Sequence, residues 1–172
     1  KKNFGSKLYT ALALYTAKTT DMINAETRSD GKKWYVNIDE AKRQGAELAL
    51  DYQIDNKFST FANINLQHAV DGAGDRIYSV PKQLLKAGVK YNYDKWTAYI
   101  NGQYVSSRNT EKMVGGKLYA EDGFFTADAG LSYKFMKNGT ISFAVNNIFD
   151  RDYWQWYKAD GRSWNVGVDF TF

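Results

Sequence analysis

The sequence predicts an all-β fold, an antiparallel transmembrane β-barrel of eight strands. Three observations predict it. Apolar and polar residues alternate with a period of two, as in the terminal "SWNVGVDFTF" (163–172), and that spacing sends successive side chains to opposite faces of a strand. Strand-like segments recur along all 172 residues. The links between them alternate strictly between short and long, the polarity of a membrane barrel with tight turns at one end and loops at the other.

Composition agrees. Of the residues, 44% are hydrophobic and 16% aromatic, with one proline and no cysteine. Aromatic residues favour strands, and a chain without cysteine has neither a disulfide scaffold nor a thiolate metal site. The net charge of +4 is scattered along the chain, so no nucleic-acid footprint is expected. No run of ~18 apolar residues suggests a membrane helix. The length suits one domain over 1–172. The opening "KKNFGSKLYT" lacks the apolar core of a leader and does not begin with Met, so a processed product or a piece of something longer is expected.

The expected strands are 7–20, 33–54, 57–70, 80–93, 95–107, 123–136, 140–150 and 161–172. In the first, "LYTALALYTA" also reads as an amphipathic helix. In the second, Ala46, Leu48, Leu50 and Tyr52 oppose Gly45, Glu47, Ala49, Asp51 and Gln53. In the fourth, Leu85, Ala87, Val89, Tyr91 and Tyr93 oppose Leu84, Lys86, Gly88, Lys90 and Asn92. Phe125 to Phe135 and Ile141 to Val145 continue the pattern. Tight turns are expected at "IDNKF", "YDKW" and "MKNGT", the last on Asn138-Gly139, a pair that tolerates positive φ. The long polar links are 20–33, 71–79, 108–122 and 151–160. Both termini share the tight-turn end.

Aromatic spacing decides which face meets lipid. Trp96 and Tyr104, Phe125 and Tyr133, and Trp164 and Phe172 each bracket small or aliphatic residues. Each bracket is ~26 Å of strand at ~3.3 Å per residue. A tilt of ~40° makes this about 20 Å of height, close to the ~25 Å apolar band between two aromatic girdles. The opposite face carries Glu47, Asp51, Lys86, Lys90, Asp128, Lys134 and Asp169. A lysine facing lipid near the midplane costs about 2–4 kcal/mol, so these charges are expected inside as a lumen network, with Gly45, Gly88, Gly130 and Gly167 leaving them space to cross and pair. The last strand (Trp164, Val166, Val168, Phe170, Phe172) is expected to close the barrel edge, which lipid cannot satisfy, and to be the signal read by the barrel-assembly machinery.

The stretch "AVNNIFDRDYWQWYKADGRSWNVGVDFTF" resembles the C-terminal end of TonB-dependent outer-membrane receptors. The matching elements are Asn147, Ile148, Phe149, Asp150 and Tyr153, then Gly161, Arg162 and the terminal Phe172. "AKRQGAELALDYQI" (41–54) and "VPKQLLKAGVKYNY" (80–93) are similar to internal strands of that family. The resemblance implies uptake of a ferric siderophore or similar scarce nutrient across the outer membrane of a Gram-negative-type bacterium, with TonB and outer-membrane lipid as partners and with periplasmic termini. Family receptors carry a plug, a TonB-contacting box and a 22-stranded barrel. This chain has room for the last third of such a barrel and for neither plug nor box, so transport by the chain alone is not expected; a separate plug or barrel part would have to supply the rest. The alternative is an autonomous, closed eight-stranded protein that anchors or adheres.

The loop residues Arg151, Tyr153, Trp154, Trp156, Tyr157, Lys158 and Arg162 combine rings and cations, a chemistry suited to an anionic, aryl-rich ferric chelate. "GAGDR" (72–76) reads as a turn, and Asp71 with Asp75 offers two carboxylates to Ca²⁺ without the remaining ligands of a proper loop. No cofactor is expected. A membrane-embedded lipid enzyme would need a nucleophile beside a positioned histidine; His68 is the only histidine, Ser79, Ser106 and Ser107 are the serines at similar height, and no motif joins them.

Overall fold

The computed structural model describes residues 1–27, 29–77, 80–114, 117–155 and 157–171. Its strands are β1 (Lys2–Phe4), β2 (Leu8–Thr27), β3 (Lys33–Gln53), β4 (Phe58–Asp71), β5 (Gln83–Tyr93), β6 (Trp96–Val105), β7 (Arg108–Val114), β8 (Lys117–Glu121), β9 (Phe124–Met136), β10 (Gly139–Asn146), β11 (Trp154–Gln155), β12 (Tyr157–Lys158) and β13 (Ser163–Phe170). Nine of them form one antiparallel sheet in the order β1-β2-β3-β4-β5-β6-β9-β10-β13. Its eight long strands fall on the eight expected segments. The helical alternative for "LYTALALYTA" is not adopted: Leu8, Leu12 and Leu14 pair with Tyr52, Leu48 and Ala46 of β3.

The connections differ more from expectation. The link expected over 20–33 is mostly strand, because β2 and β3 stay paired out to Thr27↔Lys33. The link over 108–122 is the hairpin β7–β8, and that over 151–160 contains the short hairpin β11–β12. Long links must satisfy their own backbone donors and acceptors, and a private ladder does so. At "MKNGT" the two-residue turn is Lys137-Asn138, since Met136 pairs with Gly139. Neither Asn138 nor Gly139 has positive φ. Gly139 is needed for closeness instead: a Cβ there would lie 2.6 Å from Met136 Cγ and 2.7 Å from Phe135 Cζ. A bulge between Gly139 and Thr140 takes up the extra residue.

Register gives the sheet two unlike faces. One row across it reads Leu12, Leu48, Ile64, Leu85, Tyr104 and Phe125; the adjacent row on the opposite face reads Ala11, Ala49, Asn63, Lys86, Gln103 and Thr126. The aromatic brackets align across strands. Trp96 pairs with Tyr133 and Tyr104 with Phe125, so both ends of the interval coincide on β6 and β9. At the tight-turn end the rings touch: Trp96 and Tyr133 at 4.4 Å, Phe58 and Tyr91 at 4.6 Å, Phe135 and Phe170 at 5.9 Å. At the loop end Phe143 meets Trp164 at 5.6 Å and Phe125 meets Phe149 at 6.0 Å.

The sheet is open. Among the described residues, β13 pairs with β10 alone and no ladder joins it to β1 or β2. The structure thus shows an open wall, with no ladder among the described residues closing the eight strands into a cylinder. An eight-stranded barrel has an interior just filled by side chains, whereas here no large side chain among the described residues is fully buried. Nor do the polar-face glycines make room for charges. Gly45, Gly88 and Gly130 lie directly opposite Tyr15, Phe61 and Tyr99. A Cβ on these glycines would come within 2.7 Å of Tyr15 Cζ, 2.6 Å of Phe61 Cε1 and 2.6 Å of Tyr99 Cζ. Rings occupy the space that the glycines leave.

Candidate functional site

The loop end is organised by a corner at the end of β10. Asn147 has a left-handed φ of 51°, which an asparagine tolerates better than most residues, and this stops the strand at Asn146. Asn147 is buried and fully engaged. Its amide donates to Asp128 Oδ1 at 2.8 Å, its Nδ2 donates to the Arg151 carbonyl at 2.9 Å, and its Oδ1 accepts the Arg151 amide at 3.0 Å. Ile148 returns a backbone bond to Ala127 at 2.8 Å. Asp150, also left-handed at 52°, accepts the Arg162 amide on Oδ1 at 2.7 Å and faces the Arg162 guanidinium at 3.6 Å. That amide, followed by the Arg162 charge, holds the Asp150 carboxyl below the usual carboxylate range. The Asn-Ile-Phe-Asp stretch thus works as a clamp that ends one strand and starts the next.

The candidate ligand residues divide between this clamp and solvent. Tyr153 is half-buried and stacks on Phe124 at 4.1 Å. Arg162 is tied to Asp150, and Lys158 pairs with Asp152 at 3.1 Å. Trp154, 55% exposed, and Tyr157, 83% exposed, present their rings outward from β11 and β12. Arg151 is exposed beside a hollow of 230 Å³ shared with Asp152, Trp154 and Asp122. Trp156 lies outside the described residues.

Sequence reasoning missed the arginines that lace the loops. Arg108 opens β7 with only 8% of its side chain exposed, pairs with Glu121 of β8 at 2.6 Å, and donates from Nη2 to the Trp154 carbonyl at 3.1 Å. Arg76 donates to the carbonyls of Val80 at 3.3 Å and Ser107 at 3.2 Å. Three successive loops are therefore linked by two guanidiniums. A hint existed in the sequence: Arg108 and Glu121 flank a link long enough to fold back on itself.

Among the described residues no ion pair joins Glu47, Asp51, Asp128 or Asp169 to Lys86, Lys90 or Lys134. Glu47 and Asp51 lie on β3 and Lys86 and Lys90 on β5, with β4 between them, while Asp128 and Lys134 stand six residues apart on β9 and Asp169 lies on β13. Glu47 instead accepts from Asn65 Nδ2 at 2.9 Å, and Asp128 is used by the Asn147 amide. All of these charges except Asp128 are exposed on the polar face. Trp164, Val166, Val168 and Phe170 share the apolar face of β13, opposite Val145, Phe143, Ile141 and Gly139; Phe172 lies outside the described residues.

Asp71 Oδ1 caps its own turn, accepting the amides of Ala73 at 3.0 Å and Asp75 at 2.8 Å, and no group of three metal-ligating side chains occurs among the described residues. His68 is exposed, and among the described residues no hydrogen bond joins it to a serine or a carboxylate. Ser106 Oγ accepts the Gln83 amide at 3.1 Å. Ser79 lies outside the described residues.

A two-faced antiparallel sheet with ringed edges and loops at one end is the wall of a membrane β-barrel. Residues 2–148 match the family described as "TonB dependent receptor-like, beta-barrel". The chain belongs to that family. It is 28% identical over 149 residues to the iron-regulated outer membrane virulence protein of Vibrio cholerae serotype O1, covering 80% of this chain and 22% of that protein. To the ferric aerobactin receptor of Escherichia coli it is 29% identical over 157 residues, covering 87% of this chain and 20% of the receptor. The chain thus spans about a fifth of the curated relatives it matches. Among solved structures, the copper transporter OprC superposes with a TM-score of 0.85 at 22% identity, covering 98% of this chain and 29% of that chain. The ferric yersiniabactin uptake receptor FyuA from Yersinia pestis superposes at 0.84 and 18% identity, covering 98% and 28%. At such identities the superpositions establish the fold.

Proposed function

We propose that this chain forms an eight-strand sector of the barrel wall of an outer-membrane receptor that takes up a ferric siderophore or similar nutrient. The apolar face meets lipid, and the polar face meets the barrel interior. Tight turns and termini point to the periplasm, and the laced loops face outside. The sector does not transport alone, because its open edges need neighbouring strands and its polar face needs an occupant. A separate plug and TonB would supply gating and energy, and the barrel-assembly machinery would insert the strands. The carrying observation is the coincidence of both aromatic brackets on β6 and β9, within a chain matched to this receptor family from 2 to 148.

Ligand contact is assigned to Trp154, Tyr157 and Arg151, exposed members of the cluster, whereas Arg162 and Lys158 are held in ion pairs and Tyr153 stacks on Phe124. The lumen charges Glu47, Asp51, Lys86, Lys90, Asp128, Lys134 and Asp169 line the wall that an interior occupant meets. Because one relative is a ferric aerobactin receptor, ferric aerobactin is the first probe. In the intact protein, Trp154→Ala with Tyr157→Ala is expected to weaken its binding about tenfold, read by tryptophan quenching. Unchanged affinity for ferric aerobactin, and for catecholate chelates and cobalamin tested in parallel, would remove this loop from the ligand site.

A further inference from the structure

We propose that Lys18 and Lys42 form a binding site for the phosphate of a lipid headgroup, on the lipid-facing side of the wall just above its apolar band. The inference rests on the lipid-facing reading of the apolar face given above. Height comes from the aromatic interval: eight residues separate Trp96 from Tyr104 on β6, and Tyr133 from Phe125 on β9. The same interval taken from Leu8 on β2 and Tyr52 on β3 reaches Thr16 and Gln44, which are paired with each other. The next residues outward on that face are Lys18 and Lys42, again a direct cross-strand pair. One step of two residues is ~6.6 Å of strand, which carries the ammonium groups out of the hydrocarbon and into the headgroup layer.

Two like charges directly opposite each other destabilise a sheet, yet this pair is held together. Glu40, on the same face one step further out, forms ion pairs with both Lys18 and Lys42. The carboxylate is 22% exposed beneath ammonium groups that are 55% and 61% exposed. Two cations against one carboxylate leave a net positive charge turned outward. Arg76 continues the row through the bridge Val70↔Arg76, adding positive potential without using a free guanidinium. A phosphate monoester carries ~1.5 to 2 negative charges near neutrality and accepts hydrogen bonds from both ammonium groups. A headgroup phosphate reaches this level while its acyl chains lie along Leu12, Leu14 and Leu48.

The test titrates the intact protein in detergent with lipid A, a glycolipid bearing phosphate monoesters, and reads bound lipid by native mass spectrometry. Lys18→Gln with Lys42→Gln is expected to lower the apparent affinity about tenfold, and Lys18→Arg with Lys42→Arg to retain it. Dephosphorylated lipid A is expected to bind both forms weakly and alike. Equal binding of lipid A by the glutamine variant and the unmodified protein overturns the proposal, and displacement of lipid A by equimolar inorganic phosphate shows a free-anion site instead. Ferric aerobactin binding is measured on the same samples, so failure of the lipid site and failure of the receptor reading give separate signals.

Discussion

Tyr99 covers Gly130. The two are direct partners on β6 and β9, and a Cβ on the glycine would sit 2.6 Å from the phenol Cζ. The same pairing recurs at Tyr15 over Gly45 and Phe61 over Gly88. Each ring shields a stretch of backbone that a glycine leaves bare and locks the register of its two strands. Gly130→Ala is expected to displace Tyr99 and to destabilise the wall by about 1–3 kcal/mol, the usual cost of overpacking. Urea unfolding in detergent measures it. Combining Gly130→Ala with Tyr99→Ala should cost less than the sum of the two, since the clash disappears with the ring.

The Asn147 corner gives a second expectation. Replacing Asn147 by Ala removes two side-chain hydrogen bonds to Arg151 and puts a Cβ residue without a compensating side chain at left-handed φ. A loss of about 2–3 kcal/mol follows, with faster hydrogen exchange at the Arg151 amide. Asn147→Gly keeps the conformation and loses the bonds, so it should fall between the unmodified chain and the alanine variant.

The pair Arg108–Glu121 is shielded enough to matter. Removing one partner leaves a shielded, uncompensated charge, a change worth about 3 kcal/mol in such sites. Arg108→Gln also frees the Trp154 carbonyl, so faster proteolysis is expected in the β11–β12 loop as well as in the β7–β8 hairpin. Arg108→Leu with Glu121→Leu should recover most of the stability and none of the loop coupling.

Acid should open the clamp. The carboxyl of Asp150 is held below its ordinary value by the Arg162 amide and then by the Arg162 charge; that of Asp55, in the turn after β3, by the amides of Phe58 and Lys57. A depressed folded-state value means that stabilisation is complete above the ordinary carboxylate range and is lost as pH falls through the folded value. Protection of the Arg162 amide, taken relative to the exchange of an unstructured peptide at the same pH, is expected to fall in acid below that range. Asp150→Asn should make the amide insensitive to this acid step.

The eight segments, the two faces and the girdle spacing were legible because a strand half in lipid repeats its chemistry every second residue, and that period survives in the linear text. "LYTALALYTA" is the instructive exception: its apolar residues suit two periods, and only pairing with β3 across Leu12↔Leu48 chose the strand. The Asn-Ile-Phe-Asp stretch was visible as a motif, while its work as a clamp was not, because Asp128 and Arg162 approach it from elsewhere in the chain. The ring-over-glycine pairs escaped for the same reason. Gly130 shows as a small residue on the polar face, but Tyr99 becomes its neighbour only through register.

What the sequence determined by itself is therefore the periodic part: the eight long strands, their two faces and the spacing of the aromatic brackets. Tertiary structure alone decided that no ladder joins β13 to β1 or β2 among the described residues, that aromatic rings and not crossed charges fill the glycine gaps, and that Arg76 and Arg108 bind three loops together. Alternation is a local property, set by the pleat of one strand. Edges, gaps and lacing depend on which distant residues become neighbours, and cross-strand hydrogen bonding sets those distances.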